Sequence, residues 1–213
     1  VTVTMPHAAL RVGVIALLCL LAACAPVRTR PRAATPAAET AQTAREATLS
    51  QHVRWTLSAH IGVTTARDSG SGDLEWHEDA GSYAFTVHAP ITGKTWKLRG
   101  DASGAVLEGV EAKPVSGPDV QRLLLDHVGW DVPLASLRAW TFGLRAADAA
   151  ARVEYDERDL PAAIEQDGWR VEYRDWFAAG TVGGTDLPLP RRIFATRGAT
   201  KIKLAVYDWS LGE

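Results

Sequence analysis

The chain has 213 residues, 46% of them hydrophobic and 23% charged, enough for one domain with a sizeable core. The first 45 residues hold five of the 23 basic residues and one of the 25 acidic ones, which leaves 18 against 24 and a net charge of −6 downstream. That balance argues against nucleic acid as a partner, and the confinement of both cysteines to the first 24 residues excludes a disulfide framework.

Val12 to Ala23 is an apolar run of 12 residues behind Arg11, short of the roughly 20 residues that cross a bilayer. It predicts a signal-peptide core, with Met5 or Val1 as the start of translation. Leu21-Ala22-Ala23-Cys24 closes the run in the pattern of a bacterial lipobox. Cleavage ahead of Cys24 would leave a thiol to carry diacylglycerol and an amine to carry a further acyl chain. Residues 1–23, Cys19 included, are expected to depart as the signal peptide. In Gram-negative bacteria an Asp after the cysteine commonly retains a lipoprotein in the inner membrane; here Ala25 follows, so the outer membrane is expected. An anchor of several acyl chains holds a domain there without a transmembrane helix. Residues 24–45 are built from Ala, Pro, Thr and Arg, with Pro26, Pro31 and Pro36, and predict a disordered tether. The folded domain is then 46–213.

Period-two alternation opens that domain. Trp55, Leu57, Ala59, Ile61 and Val63 alternate with polar or small residues and predict a half-buried strand. A turn over 67–72 leads to Leu74 and Trp76, Ala80-Gly81 turns again, and Tyr83, Phe85 and Val87 complete an antiparallel meander. Further strands are expected at 95–100 and near 105–112. Ser116, Gly117 and Pro118 predict a helix start with Ser116 as cap, followed by Val120, Leu123, Leu124 and Val128 at helical spacing and Gly129 as the stop. Leu134, Leu137 and Trp140 form one side of a second helix between Pro133 and Gly143. After the charged stretch 156–159, strands are expected at 161–166, 169–174, 191–196 and 201–209, with a Gly- and Pro-rich loop over 178–190. The fold class is mainly β: an open, curved antiparallel sheet with helices on its concave face.

The chemistry-bearing residues are sparse. His60, His77 and His88 fall on the polar parity of their strands, and no two histidines show ligand spacing, so no metal is expected. His77-Glu78 lacks the second His of a zincin, and there is no P-loop, nucleophile elbow or dinucleotide fingerprint. Asp156, Glu157 and Asp159 read as a solvated turn more readily than as an acid–base pair. Neither catalysis nor a cofactor is expected.

Tryptophan is the abundant feature: all eight lie in the domain. Singly, each reads as core. Together, Trp55, Trp76, Phe85, Trp96, Leu124 and Trp140 are candidates to line an apolar chamber between sheet and helices.

The ordered set of features resembles the LolB family of outer-membrane lipoprotein receptors. It runs from the lipobox and Pro-rich tether through Leu74-Glu75-Trp76 and Ala89-Pro90-Ile91-Thr92-Gly93 to the stretch from Pro133 to Leu144. Gln166-Asp167-Gly168-Trp169-Arg170-Val171-Glu172-Tyr173, Leu187-Pro188 and the final Lys201 to Trp209 complete it. The resemblance implies a half-barrel covered by helices, with a hydrophobic cavity for acyl chains. It also implies a membrane-insertion loop: the family presents an exposed leucine in Asn-Pro-Leu-Gly, and the matching residues here are Pro90, Ile91, Thr92 and Gly93. Ile replaces Leu, and Thr92 is an extra residue ahead of the glycine.

The function implied is that of a monomeric receptor anchored through Cys24 to the periplasmic face of the outer membrane. It would take acylated lipoprotein cargo from the periplasmic carrier LolA and pass it into outer-membrane lipid without nucleotide hydrolysis. The rival is a lipid-anchored structural or regulatory domain that binds envelope protein or glycan through its sheet and has a filled core. A cell-wall hydrolase would need convergent carboxylates, which the sequence does not offer.

Overall fold

A computed structural model of the chain describes residues 31–90, 93–147 and 149–212. The lipobox with Cys24, and Ile91 and Thr92 of the expected insertion loop, lie outside the described residues.

The strands form where the alternation predicts them. β1 (Arg54–Thr64) buries Trp55, Leu57, Ala59, Ile61 and Val63 in strict alternation. β2 (Ser69–Asp79), β3 (Ser82–Ala89), β4 (Lys94–Asp101), β5 (Gly104–Glu108) and the short β6 (Val115–Gly117) continue the meander. β2 takes up four residues that read as turn, because its glycines let the neighbouring strand approach: a Cβ on Gly72 would lie 2.5 Å from the His88 carbonyl oxygen. Five more strands follow: β7 (Ala151–Tyr155), β8 (Pro161–Gln166), β9 (Trp169–Phe177), β10 (Leu189–Arg197) and β11 (Thr200–Leu211). Of these, β7 escapes the period-two reading, since only Val153 and Tyr155 mark its buried side.

All eleven strands belong to one antiparallel sheet in the order β6-β5-β4-β3-β2-β1-β11-β10-β9-β8-β7. Two meanders are thus joined where the first strand pairs with the last. Leu57 stands between Trp76 and Trp209 at that junction, and Ile61 faces Leu204. The sheet stays open, with β6 and β7 as its two edges. The chain must cross from one edge to the other between them, and it does so as α2 (Val120–Val128) and α3 (Leu134–Thr141). This crossing is what lays helices over the apolar face.

Two helix expectations need correction. α2 is capped by Asp119, whose carboxylate accepts from the Arg122 amide at 3.0 Å; Ser116 is instead held in β6, opposite Val106 of β5. Gly129 does end α2, in the left-handed region at φ 77°. The larger correction is to the tether, because residues 36–45 are not disordered. α1 spans Pro36–Leu49, with Pro36 in its first turn and the Thr35 hydroxyl accepting from the Ala38 amide at 3.2 Å. Its buried stripe is Ala38, Gln42, Arg45 and Leu49. Upstream, Arg32 bridges the outer side of β7: its amide and carbonyl exchange hydrogen bonds of 2.9 and 3.0 Å with Tyr155, and its guanidinium pairs with Asp159.

Candidate functional site: the helix-covered aromatic face

All eight tryptophans lie on the covered side, each buried and each in ring contact with another aromatic. A row crosses five neighbouring strands and reaches the loop after α2. Its ring centroids are 5.7 Å apart for Trp209–Trp55, 5.2 Å for Trp55–Trp76, 5.2 Å for Trp76–Phe85, 5.7 Å for Phe85–Trp96 and 5.3 Å for Trp96–Trp130. Phe142, just past α3, caps the row at 4.5 Å from Trp209 and 5.2 Å from Trp55. These are the separations that offset and edge-on aromatic pairs prefer. Leu124 of α2 joins the same cluster. Trp140 belongs with Trp169, 5.8 Å away across the other meander.

Of the six residues expected to line a chamber, Trp55, Trp76, Phe85 and Trp96 meet ring to ring in this row and Leu124 joins their cluster, whereas Trp140 pairs with Trp169 instead. Two open hollows of about 580 and 860 Å³ lie elsewhere, one around the β8–β9 turn and the other beside β5 and β6; none of the six lines either. Trp130, Phe142 and Trp209 extend the row beyond the residues that the pattern singles out.

Buried polar groups pin the helices to this face. The Trp140 indole donates to Gln166 Oε1 at 3.2 Å, and its carbonyl accepts from the Tyr173 hydroxyl at 2.9 Å. Gln166 in turn donates to the carbonyls of Ala146 and Ala149, and full burial pushes the Tyr173 hydroxyl far above the usual phenol range. On β2, Glu78 shares the parity of Trp76 and is 5% exposed. Its Oε1 accepts from the Trp76 indole at 2.9 Å, and Arg138 of α3 stands 3.0 Å from Oε2 without an aligned hydrogen bond. Burial raises the Glu78 pKa above 4.5, opposed by Arg138 and by the indole.

α1 is fastened by polar side chains. The Gln42 amide donates to the Gly143 carbonyl and to Glu46, both at 3.0 Å, which fixes the amide's orientation and leaves Oε1 with no partner. Arg45 donates through Nη2 to the Phe142 carbonyl at 2.8 Å and lies 4.9 Å over the Trp176 ring, while its Nε has no partner. Burial lowers its pKa to about 10, countered in part by Tyr173. Arg145 clasps Glu46 at 2.7 and 2.8 Å. Neither Gln42 nor Arg45 is foreshadowed by hydropathy; the trace in the sequence is their spacing with Ala38 and Leu49 along one helix face.

The remaining candidates are plainly placed. His77 and His88 are exposed, and His60 pairs with Asp73 at 3.1 Å near the surface. Asp156 corrects the expectation of a solvated turn: it is 3% exposed and accepts from the amides of Arg158 and Leu160. It closes the turn as a buried acceptor. Of the expected insertion loop, Pro90 is exposed, and the Gly93 amide donates to the Ala89 carbonyl at 2.9 Å, closing the β3–β4 turn.

A LolA superfamily protein of Nitrosomonas europaea aligns with a TM-score of 0.47 at 9% identity, covering 76% of this chain and 87% of that one. The chain is 38% identical over 177 residues to the outer-membrane lipoprotein LolB of Xanthomonas campestris pv. campestris, covering 82% of this chain and 80% of that protein. It is 31% identical over 173 residues to the corresponding protein of Xylella fastidiosa, covering 81% and 78%. The model of the family described as outer membrane lipoprotein LolB matches residues 53–209, from the start of β1 to Trp209 near the end of β11. With the aromatic face and all eleven strands, the last as far as Trp209, inside that match, the chain belongs to the LolB family.

Proposed function

We propose that this protein is an outer-membrane lipoprotein receptor that takes acylated lipoproteins from the soluble carrier LolA and releases them into the inner leaflet of the outer membrane. The observation that carries the reading is the apolar face: eight buried tryptophans packed between sheet and helices, with α1 fastened over their margin by the polar side chains Gln42 and Arg45. A cargo with two or three acyl chains exposes some tens of methylenes at about 0.8 kcal/mol each. It cannot cross the periplasm free, so it passes from one apolar enclosure to the next and finally into the bilayer, the deepest sink. Each transfer is downhill, which removes the need for nucleotide hydrolysis, and no covalent bond is broken.

In this reading the rings part to admit acyl chains. Trp55, Trp76, Phe85, Trp96, Leu124 and Trp140 supply the lining. No described helix is long and apolar enough to cross a membrane; acylated Cys24 supplies the attachment, and the monomer works alone. The loop Pro90-Ile91-Thr92-Gly93 hands the cargo over, because an apolar side chain such as that of Ile91 favours the bilayer by roughly 1.5 to 3 kcal/mol.

A second reading, a lipid-anchored envelope-binding domain, draws on the ring contacts themselves, which describe a filled core. Reconstitution separates the two: carrier loaded with labelled lipoprotein, the anchored receptor in one set of liposomes, and label followed into lipid. The receptor reading expects uptake and delivery, with an Ile91→Asp variant that folds and takes cargo from the carrier but fails to deliver it. Absence of uptake by the wild type favours the rival, and normal delivery by Ile91→Asp removes the role of the loop.

A further inference from the structure

The buried stripe of α1 holds two unsatisfied groups three residues apart. Gln42 is 1% exposed and Arg45 5%, and both point into the space between α1 and the segment that follows α3. Gln42 Oε1 is an acceptor without a donor, held in place because its own Nε2 serves two acceptors. Arg45 Nε is a donor without an acceptor, beside the Trp176 ring and the Phe142 carbonyl. Glu39 and Glu46, the carboxylates nearest in sequence, are both engaged by Arg145. Phe142 packs edge-on against Trp55 and tilted against Trp209, so the two groups sit at the margin of the aromatic row.

An unpaired buried donor and an unpaired buried acceptor on one helix face are an arrangement that proteins avoid unless something completes it. A single group that completes both must offer one donor and one acceptor and must tolerate apolar surroundings. A secondary amide does this; an ester offers only the carbonyl, and a carboxylate or phosphate would leave Gln42 Oε1 facing a second acceptor. We infer that Gln42 and Arg45 form a polar subsite for the N-acyl amide of a lipoprotein's modified cysteine, Gln42 Oε1 accepting from its N–H and Arg45 Nε donating to its carbonyl. The inference rests on the receptor reading above and adds to it a contact for the head of the cargo as well as its tails. Side chains three apart on a helix start about 5 to 6 Å apart at Cβ, room to bracket one amide. The acyl chains then run from that point along the Trp209–Trp55–Trp76 row, and α1 lifts from the Gly143 carbonyl to admit them.

The test uses the full chain and two synthetic peptides, one carrying N-palmitoyl, S-dipalmitoylglyceryl cysteine and the other identical but N-methylated at that amide. Loss of the N–H should weaken binding to the wild type about ten-fold. It should change nothing for Gln42→Leu, which already lacks the acceptor, and Arg45→Met should weaken both peptides alike. Equal binding of the two peptides to the wild type overturns the subsite, and this comparison stands even where a variant fails to fold. A residual ten-fold preference in folded Gln42→Leu overturns it as well. Binding of neither peptide by the wild type rejects the receptor reading itself, and is distinct from equal binding of both.

Discussion

Trp76 and Glu78 are two residues apart on β2 and so share a face, one as part of the aromatic row and the other as a carboxyl group among apolar neighbours. The indole of the first satisfies one oxygen of the second, and Arg138 balances its charge from the helix above. Because burial raises its pKa, the folded protein holds the Glu78 proton more tightly than the unfolded chain does. The contribution of this group to stability is therefore complete below pH 4.5 and is lost as pH rises through the raised folded value. Glu78→Gln has no such loss. The difference in Tm, wild type minus variant, should be greater at pH 4 than at pH 7, and a difference that does not move with pH would end this account of Glu78.

Among the elements, α1 depends most on polar contacts: half its buried stripe is Gln42 and Arg45, and its outer side is gripped by Arg145. Half-buried charge pairs of this kind contribute on the order of 1 kcal/mol after screening. Arg145→Met should accordingly leave the sheet intact while amides of residues 38–49 exchange several-fold faster, roughly in proportion to that loss; unchanged exchange would show that Gln42, Arg45 and Leu49 hold the helix unaided. The same composition explains why this helix cannot be read from hydropathy, and why a tether was the natural expectation. Strands with strict alternation, such as β1, announce both their existence and their buried face. β7, with Val153 and Tyr155 between charged residues, does not, and the cap of α2 is decided by the pairing of β6 rather than by local preference. At the site, parity collects Trp55, Trp76, Phe85 and Trp96, since a period of two sorts the side chains of a strand onto its two faces, while Trp130 and Phe142 reach the row from outside the strands. Glu78, Gln42 and Arg45 are polar residues on apolar positions, and only the neighbouring elements reveal what they meet.

At the scale of the whole molecule, stability hinges on the seam between β1 and β11, where Leu204 lies between Ile61 and Ile193 at 2% exposure. Leu204→Ala should destabilise by about 2 to 5 kcal/mol. The two meanders share one core, so the loss should appear as a single transition in which tryptophan fluorescence and circular dichroism coincide. Separate transitions would mean that the halves are independent.

That seam also governs the order of events during export. β1 closes at Thr64 and waits for residues 200–211 to supply its second neighbour, so a chain emerging amino end first completes its sheet only after almost all of it has passed. Contacts so distant along the chain form slowly. The delay favours an export-competent, unfolded polypeptide throughout translocation.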